Sequence, residues 1–203
     1  MISITRLFIL SIMLFSCAFN DIENYQIAKT IIFGGIKVDV DKNFFESQRF
    51  SFAVASIGRN SEAVLSLKAI DKDNIYEWIS EDGAMIYTKD GFIVKTFGLR
   101  NDFVLYNPNI VNKNSSFESY FSFYKPDLAN AIISYSLVGI KPSSFESLGA
   151  LNSSFTHNFE KKVEILDWNS KVTIIYNTKG MPVYASQKIN PFLGEIYLRF
   201  YYK

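Results

Sequence analysis

The sequence predicts a mainly β protein, a single antiparallel β domain that is barrel-like and carries a short N-terminal helix. Two observations predict this fold. Polar and apolar residues alternate along several short segments such as 63–71, and a period of two is typical of half-buried strands. Asp82-Gly83 and Asp90-Gly91 separate such segments, and Asp-Gly favours the tight turns of antiparallel hairpins. A chain of 203 residues with 19 Phe and 12 Tyr can also fill one core.

The first 16 residues have the pattern of a secretory signal. Arg6 precedes an apolar run at 7–15, which is too short to span a bilayer as a helix. Cys17 is the only cysteine and ends a Leu-Phe-Ser-Cys tetrapeptide, which resembles the lipobox of bacterial lipoproteins. We therefore predict a lipoprotein signal peptide at 1–16, a β domain at 17–203 and acylation of Cys17. An ordinary signal peptide with an incidental cysteine is the alternative.

The residue after the cysteine bears on the location of the protein. It is Ala18 rather than Asp, and by the sorting pattern of such lipoproteins this favours the outer membrane. Two acyl chains would hold the protein there stably, whereas one chain binds only marginally. We expect a lipid anchor in the outer membrane, with the β domain on the periplasmic side.

The elements of the N-terminal half follow in order. Ile22, Tyr25 and Ala28 have helical spacing and Gly34-Gly35 can end a helix, so a short amphipathic helix is predicted at 20–35. A second short helix is predicted after Asp41. The remaining predictions for this half are strands, at 63–71, 75–80, 84–88 and 92–98.

The middle of the chain, 107–158, is less regular. Residues 107–119 have loop composition, 125–135 fit either a helical turn or a strand, and 141–154 are rich in turn-forming residues. Beyond the middle the alternation returns. Strands are predicted at 160–168, 171–178, 182–189 and 194–203.

Composition and motifs argue against several functions. Twenty-one Lys and Arg balance 20 Asp and Glu, so no field would recruit nucleic acid. One Cys and one His exclude an internal disulfide and disfavour a Cys/His metal site. His157 lacks a catalytic partner nearby in sequence, and the hairpin carboxylates Glu77, Glu81 and Asp82 are interpreted as solvated charges. We predict no enzyme activity, no catalytic residues, no metal and no cofactor.

Two stretches carry a resemblance to a known family. Residues 50–102 combine Ile57-Gly58, a Trp-containing strand and two Asp-Gly turns, and 171–200 contain a second pattern that ends at Pro191. Together they resemble the YjbF/GfcB family of capsule and exopolysaccharide lipoproteins. The residues that match its signatures are Gly83, Gly91, Thr96, Gly98, Leu99, Gly180, Ser186 and Gln187.

The resemblance implies a lipoprotein encoded with polysaccharide assembly and export functions, largely antiparallel β, with no catalytic residues to carry over. Our hypothesis is that Trp78, Lys95 and Arg100 edge a surface that meets polysaccharide or an export partner. A structural role for the same residues is the alternative, since Trp78 and Trp168 also suit a β core. Thr96 would then serve the fold through a hydrogen bond, and Lys95 would lay its stem on apolar surface.

A second function stays open. A lipoprotein with an aromatic-lined β cavity could bind or carry acyl chains. A large dry interior pocket would favour this carrier, whereas an open aromatic groove would favour glycan binding. An enzyme that acts on glycan ranks third, because it would need two buried carboxylates that face one cleft.

Overall fold

The computed structural model describes residues 37–124, 127–147 and 150–203. Val38–Gly58 and Glu62–Lys203 form one compact unit, which contains all the described helices and strands. Cys17 and the helix predicted at 20–35 lie outside the described residues.

The described part of the chain forms a closed barrel of twelve antiparallel strands. Each strand pairs with its neighbours in sequence, and β12 pairs back with β1. The strands are β1 (Phe52–Ile57), β2 (Ala63–Ile70), β3 (Tyr76–Ser80), β4 (Met85–Lys89), β5 (Phe92–Phe97), β6 (Phe103–Leu105), β7 (Phe117–Phe123), β8 (Leu128–Ser147), β9 (Ala150–Val163), β10 (Trp168–Asn177), β11 (Pro182–Gln187) and β12 (Ile196–Tyr201). The predicted mainly β, barrel-like fold is confirmed.

Large side chains fill the inside of the barrel. Along β12, Ile196, Leu198 and Phe200 are 0–3% exposed, while Tyr197 and Arg199 between them point outwards and are partly exposed. Aromatic rings from distant strands meet in the interior, as where Phe92 lies edge-on to Phe159 at 5.0 Å between ring centroids. The interior is thus a packed core, built from strands whose side chains alternate in and out.

One short helix, α1 (Lys42–Ser47), covers part of the barrel's outer face. The Asp41 carboxylate accepts a hydrogen bond from the Phe44 N–H at 2.7 Å and caps the helix. Phe44 packs edge-on against Phe52, whose ring stacks on Tyr201 at 4.8 Å. The second short helix is therefore confirmed. In the described ranges, no helix is both long and apolar enough to cross a membrane.

For the middle segment, the structure decides between the helix and strand alternatives at 125–135 and corrects the prediction at 141–154. From Leu128 the stretch left open at 125–135 is strand, the start of β8. Of the residues at 141–154, predicted to be mostly turns, 141–147 and 150–154 instead extend β8 and β9 into a long hairpin in which Ser143 pairs with Ser154. The turn prediction was wrong because pairing with a neighbouring strand overrides the weak local preferences of Ser and Asn.

The strand predicted at 160–168 is also wrong in part. β9 ends at Val163, and a 3-10 turn at Glu164–Leu166 leads to Asp167, which has a left-handed φ of 46°. Asp accepts this conformation more readily than most residues. The chain therefore reverses there, and Trp168 begins the next strand, β10.

Lys161 is an exception in the apolar core. It lies on β9 between Phe159 and Val163, and all three are at most 1% exposed. Its ammonium donates to the Lys188 carbonyl and lies 4.7 Å from the centroid of the Trp168 ring. Among the described residues no carboxylate pairs with it. Burial, with a smaller contribution from the nearby Lys188 charge, lowers the pKa of Lys161 to about 7.

We expect Lys161→Met to change how stability depends on pH. The unfolded lysine has the higher pKa and so binds more protons than the folded one between pH 7 and about 10. The free energy of unfolding of the wild type should therefore rise relative to Lys161→Met by up to about 1.4 kcal/mol per pH unit in this window. Urea unfolding between pH 6 and 9.5 measures the difference.

The matched control for this experiment is Lys162→Met, which removes the exposed neighbour of Lys161. Its stability profile should stay parallel to that of the wild type at every pH. A Lys161→Met profile that is also parallel would mean that Lys161 keeps its ordinary pKa in the folded protein.

Candidate functional site at the end of the barrel

The two signature segments meet inside the barrel through Gln187. Its side-chain amide nitrogen donates to the Gly91 carbonyl at 2.9 Å, and its amide oxygen accepts from the Ile93 N–H at 3.1 Å. Gln187 is 1% exposed, so neither backbone group could bond to water instead. One side chain of β11 therefore holds the beginning of β5 at this end of the barrel.

The turn at Asp90-Gly91 packs directly on β10 and β11. Gly91 has a φ of 82°, and a Cβ there would lie 2.7 Å from Cγ2 of Ile174 and 3.1 Å from Cβ of Pro182. The Tyr176 hydroxyl donates to the Asp90 carbonyl at 2.6 Å. Only glycine fits this position, because it needs both the left-handed conformation and the missing side chain.

The residues Thr96, Gly98 and Leu99 build the next turn, between β5 and β6. The Asp102 carboxylate accepts hydrogen bonds from the Gly98 N–H, the Leu99 N–H and the Thr96 hydroxyl at 3.0–3.1 Å. The same hydroxyl accepts from the Phe103 N–H at 2.9 Å. The structural role predicted for Thr96 is confirmed.

The remaining signature residues also have structural roles. Gly83 and Gly180 occupy turns with φ of 84° and 75°. The Ser186 hydroxyl donates to the Glu195 carboxylate on the approach to β12. Together these contacts show the signature residues building turns and cross-barrel bonds, and two of them, Gly91 and Gly180, border an opening at one end of the barrel.

That opening, the barrel-end cleft, lies between the β4–β5 turn and the β10–β11 turn. It has a volume of about 190 Å³ and is open to solvent, and its lining includes Asn74, Tyr76, Asp90, Gly91, Gly180 and Tyr202. The Tyr76 and Tyr202 rings meet edge to face, 6.3 Å between centroids. The cleft therefore combines an aromatic wall with polar side chains of the first signature segment and turn residues of the second.

The polar groups around the cleft differ in whether they already have hydrogen-bond partners. The Tyr202 hydroxyl donates to the Pro182 carbonyl at 2.9 Å, and burial raises its pKa, so the ring stays neutral and fixed in place. The Lys89 ammonium donates to the Asn109 side chain at 3.1 Å. The Asp90 carboxylate, in contrast, has no hydrogen-bond or ion-pair partner among the described residues. It is a free acceptor at the cleft.

The surface proposed from Trp78, Lys95 and Arg100 does not form. Trp78 is fully buried, donates to the Thr88 hydroxyl at 2.8 Å and stacks beneath Tyr76 at 5.9 Å. Alternation explains this, because Trp78 pairs with inward-facing Ile86 while Lys95 pairs with outward-facing Tyr87.

Lys95 and Arg100 are both exposed but lie apart from the cleft. The Lys95 ammonium lies 5.0 Å from the Tyr87 ring centroid on the outer face, as its predicted stem packing suggests. Arg100 lies in the turn at the opposite end of the barrel. Neither Tyr76 nor Tyr202 was selected from the sequence as a site residue, although Tyr202 belongs to the alternating, tyrosine-rich segment at 194–203.

The groups considered for catalysis have structural contacts. A ring nitrogen of His157 bonds with the Lys113 carbonyl at 2.8 Å, and the Glu77 carboxylate pairs with Lys68 at 2.7 Å. Asp82 is exposed, and a hydrogen bond from Ser80 holds its pKa below the ordinary value. Within 37–124, 127–147 and 150–203, no three His, Cys, Asp or Glu residues form a group that could hold a metal ion.

Comparison with known proteins shows which family the chain belongs to. Residues 25–193 match the model of the family described as "Group 4 capsule polysaccharide lipoprotein gfcB, YjbF". The crystal structure of the hypothetical lipoprotein YmcC from Escherichia coli K12 has the same fold, with a TM-score of 0.67 and 16% identity over 79% of this chain and 88% of that one. No curated protein matches in sequence. Since the family model spans most of the chain, the protein belongs to the YjbF family of group 4 capsule polysaccharide lipoproteins.

Proposed function

We propose that the protein is an outer-membrane lipoprotein, anchored through Cys17 on the periplasmic side, and a non-enzymatic accessory of capsule or exopolysaccharide assembly or export. It acts by binding glycan or a partner of the export machinery. The observation that carries this proposal is the family match over residues 25–193, because that family is described as capsule polysaccharide lipoproteins. Cys17 and the residues around it supply the lipobox pattern for the anchor.

The geometry supports a binding role. The signature residues build turns and cross-barrel bonds, as with Gln187 and Gly91. The opening that Gly91 and Gly180 border has aromatic and polar walls, which are suited to holding a ligand. An accessory protein needs such a recognition surface and no reactive group.

The alternative, a carrier of acyl chains in a β cavity, fits the packing less well. Such a carrier needs a wide dry interior, but Trp78, Phe103 and Phe121 are fully buried inside this barrel. Rings from opposite strands already touch, as Phe92 and Tyr135 do at 5.5 Å. The packed interior and the open cleft together favour binding of glycan or of a partner protein.

The proposal predicts a loss of polysaccharide in cells that lack this gene. The measurement is the amount of exported polysaccharide, with complementation by the wild type, by Cys17→Ala and by Ser16→Ala. The wild type and Ser16→Ala, which keeps a small residue before the cysteine, should restore export. Cys17→Ala should not restore it, because it removes the sulfur that carries the acyl group.

Two results would contradict the proposal. Unchanged polysaccharide in the deletion strain would remove the role in assembly or export. Full restoration by Cys17→Ala, at wild-type protein abundance, would remove the requirement for an anchor. Membrane fractionation of the complemented strains shows in addition whether the wild type resides in the outer membrane.

A further inference from the structure

We propose that the barrel-end cleft binds a neutral sugar residue of a polysaccharide chain, with the ring against Tyr76 and Tyr202 and its hydroxyls bonded at the polar rim. This inference rests on the proposed function, since it names the ligand class and the site for that role. Four features of the cleft carry it: the aromatic wall, the free polar groups, the charges and the size.

The aromatic wall is held in place without a ligand. The Tyr76 ring stacks on Trp78 at 5.9 Å with 13° between planes, and the Tyr202 ring stacks on Phe200 at 6.3 Å with 16°. Rings that are already fixed lose little conformational freedom when a ligand binds. The C–H groups on one face of a sugar ring carry partial positive charge, which complements the negative face of an aromatic ring.

The polar rim offers groups that complement hydroxyls. The Asp90 carboxylate is a free acceptor, and the Asn74 side chain, which supplies both a donor and an acceptor, has no partner among the described residues. Sugar hydroxyls both donate and accept, so neighbouring hydroxyls of one ring can bond to both side chains. Both residues line the cleft beside Tyr76.

The charges favour a neutral sugar over an acidic one. Two lysines lie at the cleft, but the Lys89 ammonium already bonds to Asn109 and the Lys113 ammonium to the Gly180 carbonyl, whereas the Asp90 carboxylate is unpaired in the described part of the chain. A uronic acid or phosphate group would bring a second negative charge next to Asp90. Repulsion between the like charges would discriminate against such a ligand.

The size favours one sugar residue within a longer chain. A volume of about 190 Å³ is below the roughly 300–1,000 Å³ of pockets that enclose drug-sized ligands. The cleft is open to solvent, so a chain could continue beyond the bound residue on either side. One ring of a polymer is the ligand that matches both properties.

The test uses the full-length lipidated protein in detergent micelles. The probes are oligosaccharide fragments of the surface polysaccharide from the cells that make the protein, separated into neutral and acidic fractions. Binding is measured by isothermal titration calorimetry and by saturation transfer from protein to sugar protons. The variant is Asp90→Asn, which removes the charge and keeps the shape, and Asn tolerates the φ of 48° at this position.

The matched control is Asp167→Asn, which makes the same change at an exposed Asp with a φ of 46° at the opposite end of the barrel. We expect neutral fragments to bind the wild type and Asp167→Asn equally, and Asp90→Asn about tenfold more weakly, the loss expected for a charged hydrogen bond. In saturation transfer, the strongest signals should come from the ring C–H protons that face the tyrosines.

Three results would overturn the inference: no binding of the neutral fraction, preferential binding of the acidic fraction, or equal binding by all three proteins. Complementation of the deletion strain separates this failure from failure of the proposed function. If deletion leaves the polysaccharide unchanged, the proposed function fails. If deletion removes polysaccharide and Asp90→Asn restores it with unchanged binding, only the assignment of the cleft fails.

Discussion

Replacing Trp78 with alanine is expected to lower the free energy of unfolding by about 3–5 kcal/mol, the range for truncating a large buried aromatic side chain. Trp78 is fully buried and contacts both Tyr76 and Phe200, at 5.9 and 5.4 Å between ring centroids. Its removal would leave a cavity lined by these rings and would deprive the Thr88 hydroxyl of the indole donor. Chemical denaturation in urea, followed by far-UV circular dichroism, measures the loss.

The control for this prediction is Phe97→Ala. Phe97 is 55% exposed on β5, so truncating it leaves no interior cavity, and the loss should stay below about 1 kcal/mol. Similar small losses for both variants would place Trp78 on the surface, as the sequence hypothesis had it. A large loss for Trp78→Ala alone is the result expected for a side chain that is buried beneath Tyr76.

Gly91→Ala is the second substitution with a large expected effect, a loss of about 2–5 kcal/mol. About 1–2 kcal/mol comes from placing alanine in a left-handed conformation. Another 1–3 kcal/mol comes from overpacking, because the new methyl would lie 2.7 Å from Cγ2 of Ile174. The β4–β5 turn must then shift away from β10, which would also strain the bonds from Gln187 to this segment.

The control variant Gly83→Ala measures how much stability is lost when alanine adopts a left-handed backbone conformation without overpacking. Gly83 has a φ of 84°, close to the 82° of Gly91, but no atom lies within 4 Å of the position that its Cβ would take. Its loss in urea unfolding should therefore be only about 1–2 kcal/mol. Equal losses for the two variants would show that the Asp90-Gly91 turn does not pack against β10 and β11.

For the candidate site, local sequence patterns identified turn and cross-barrel residues near the cleft, but not the tyrosines that form its aromatic wall. Gly91, Gly180 and Gln187 were selected from the family signature; the structure places Gly91 and Gly180 at the cleft, and the Gln187 side chain bonds to the Gly91 carbonyl through the interior. The hypothesis that placed Trp78 at a surface was wrong and the core alternative holds. Alternation says which residues share a face of a strand and not which face lies inside. Tyr76 was missed because it precedes a more conspicuous tryptophan on the same strand.

The middle of the chain shows a second limit of sequence reasoning. Residues 141–154 contain Ser, Asn, Pro and Gly, which individually favour turns. Residues 141–147 and 150–154 form extended structure because β8 and β9 pair with each other over most of their lengths. Strand preference depends on neighbours across the sheet, and the sequence does not specify which segments will become neighbours.

Family membership, most of the strands on either side of the middle segment and the Asp-Gly turns were accessible from the amino-acid sequence, since each depends on a few residues that are close along the chain. Alternation and left-handed turn positions are local properties of this kind. The contacts between Gly91 and Gln187, and between Tyr76 and Tyr202, arise only when β12 pairs with β1 and closes the barrel. Closure depends on the number and register of all the strands together, so the cleft exists only in the tertiary structure.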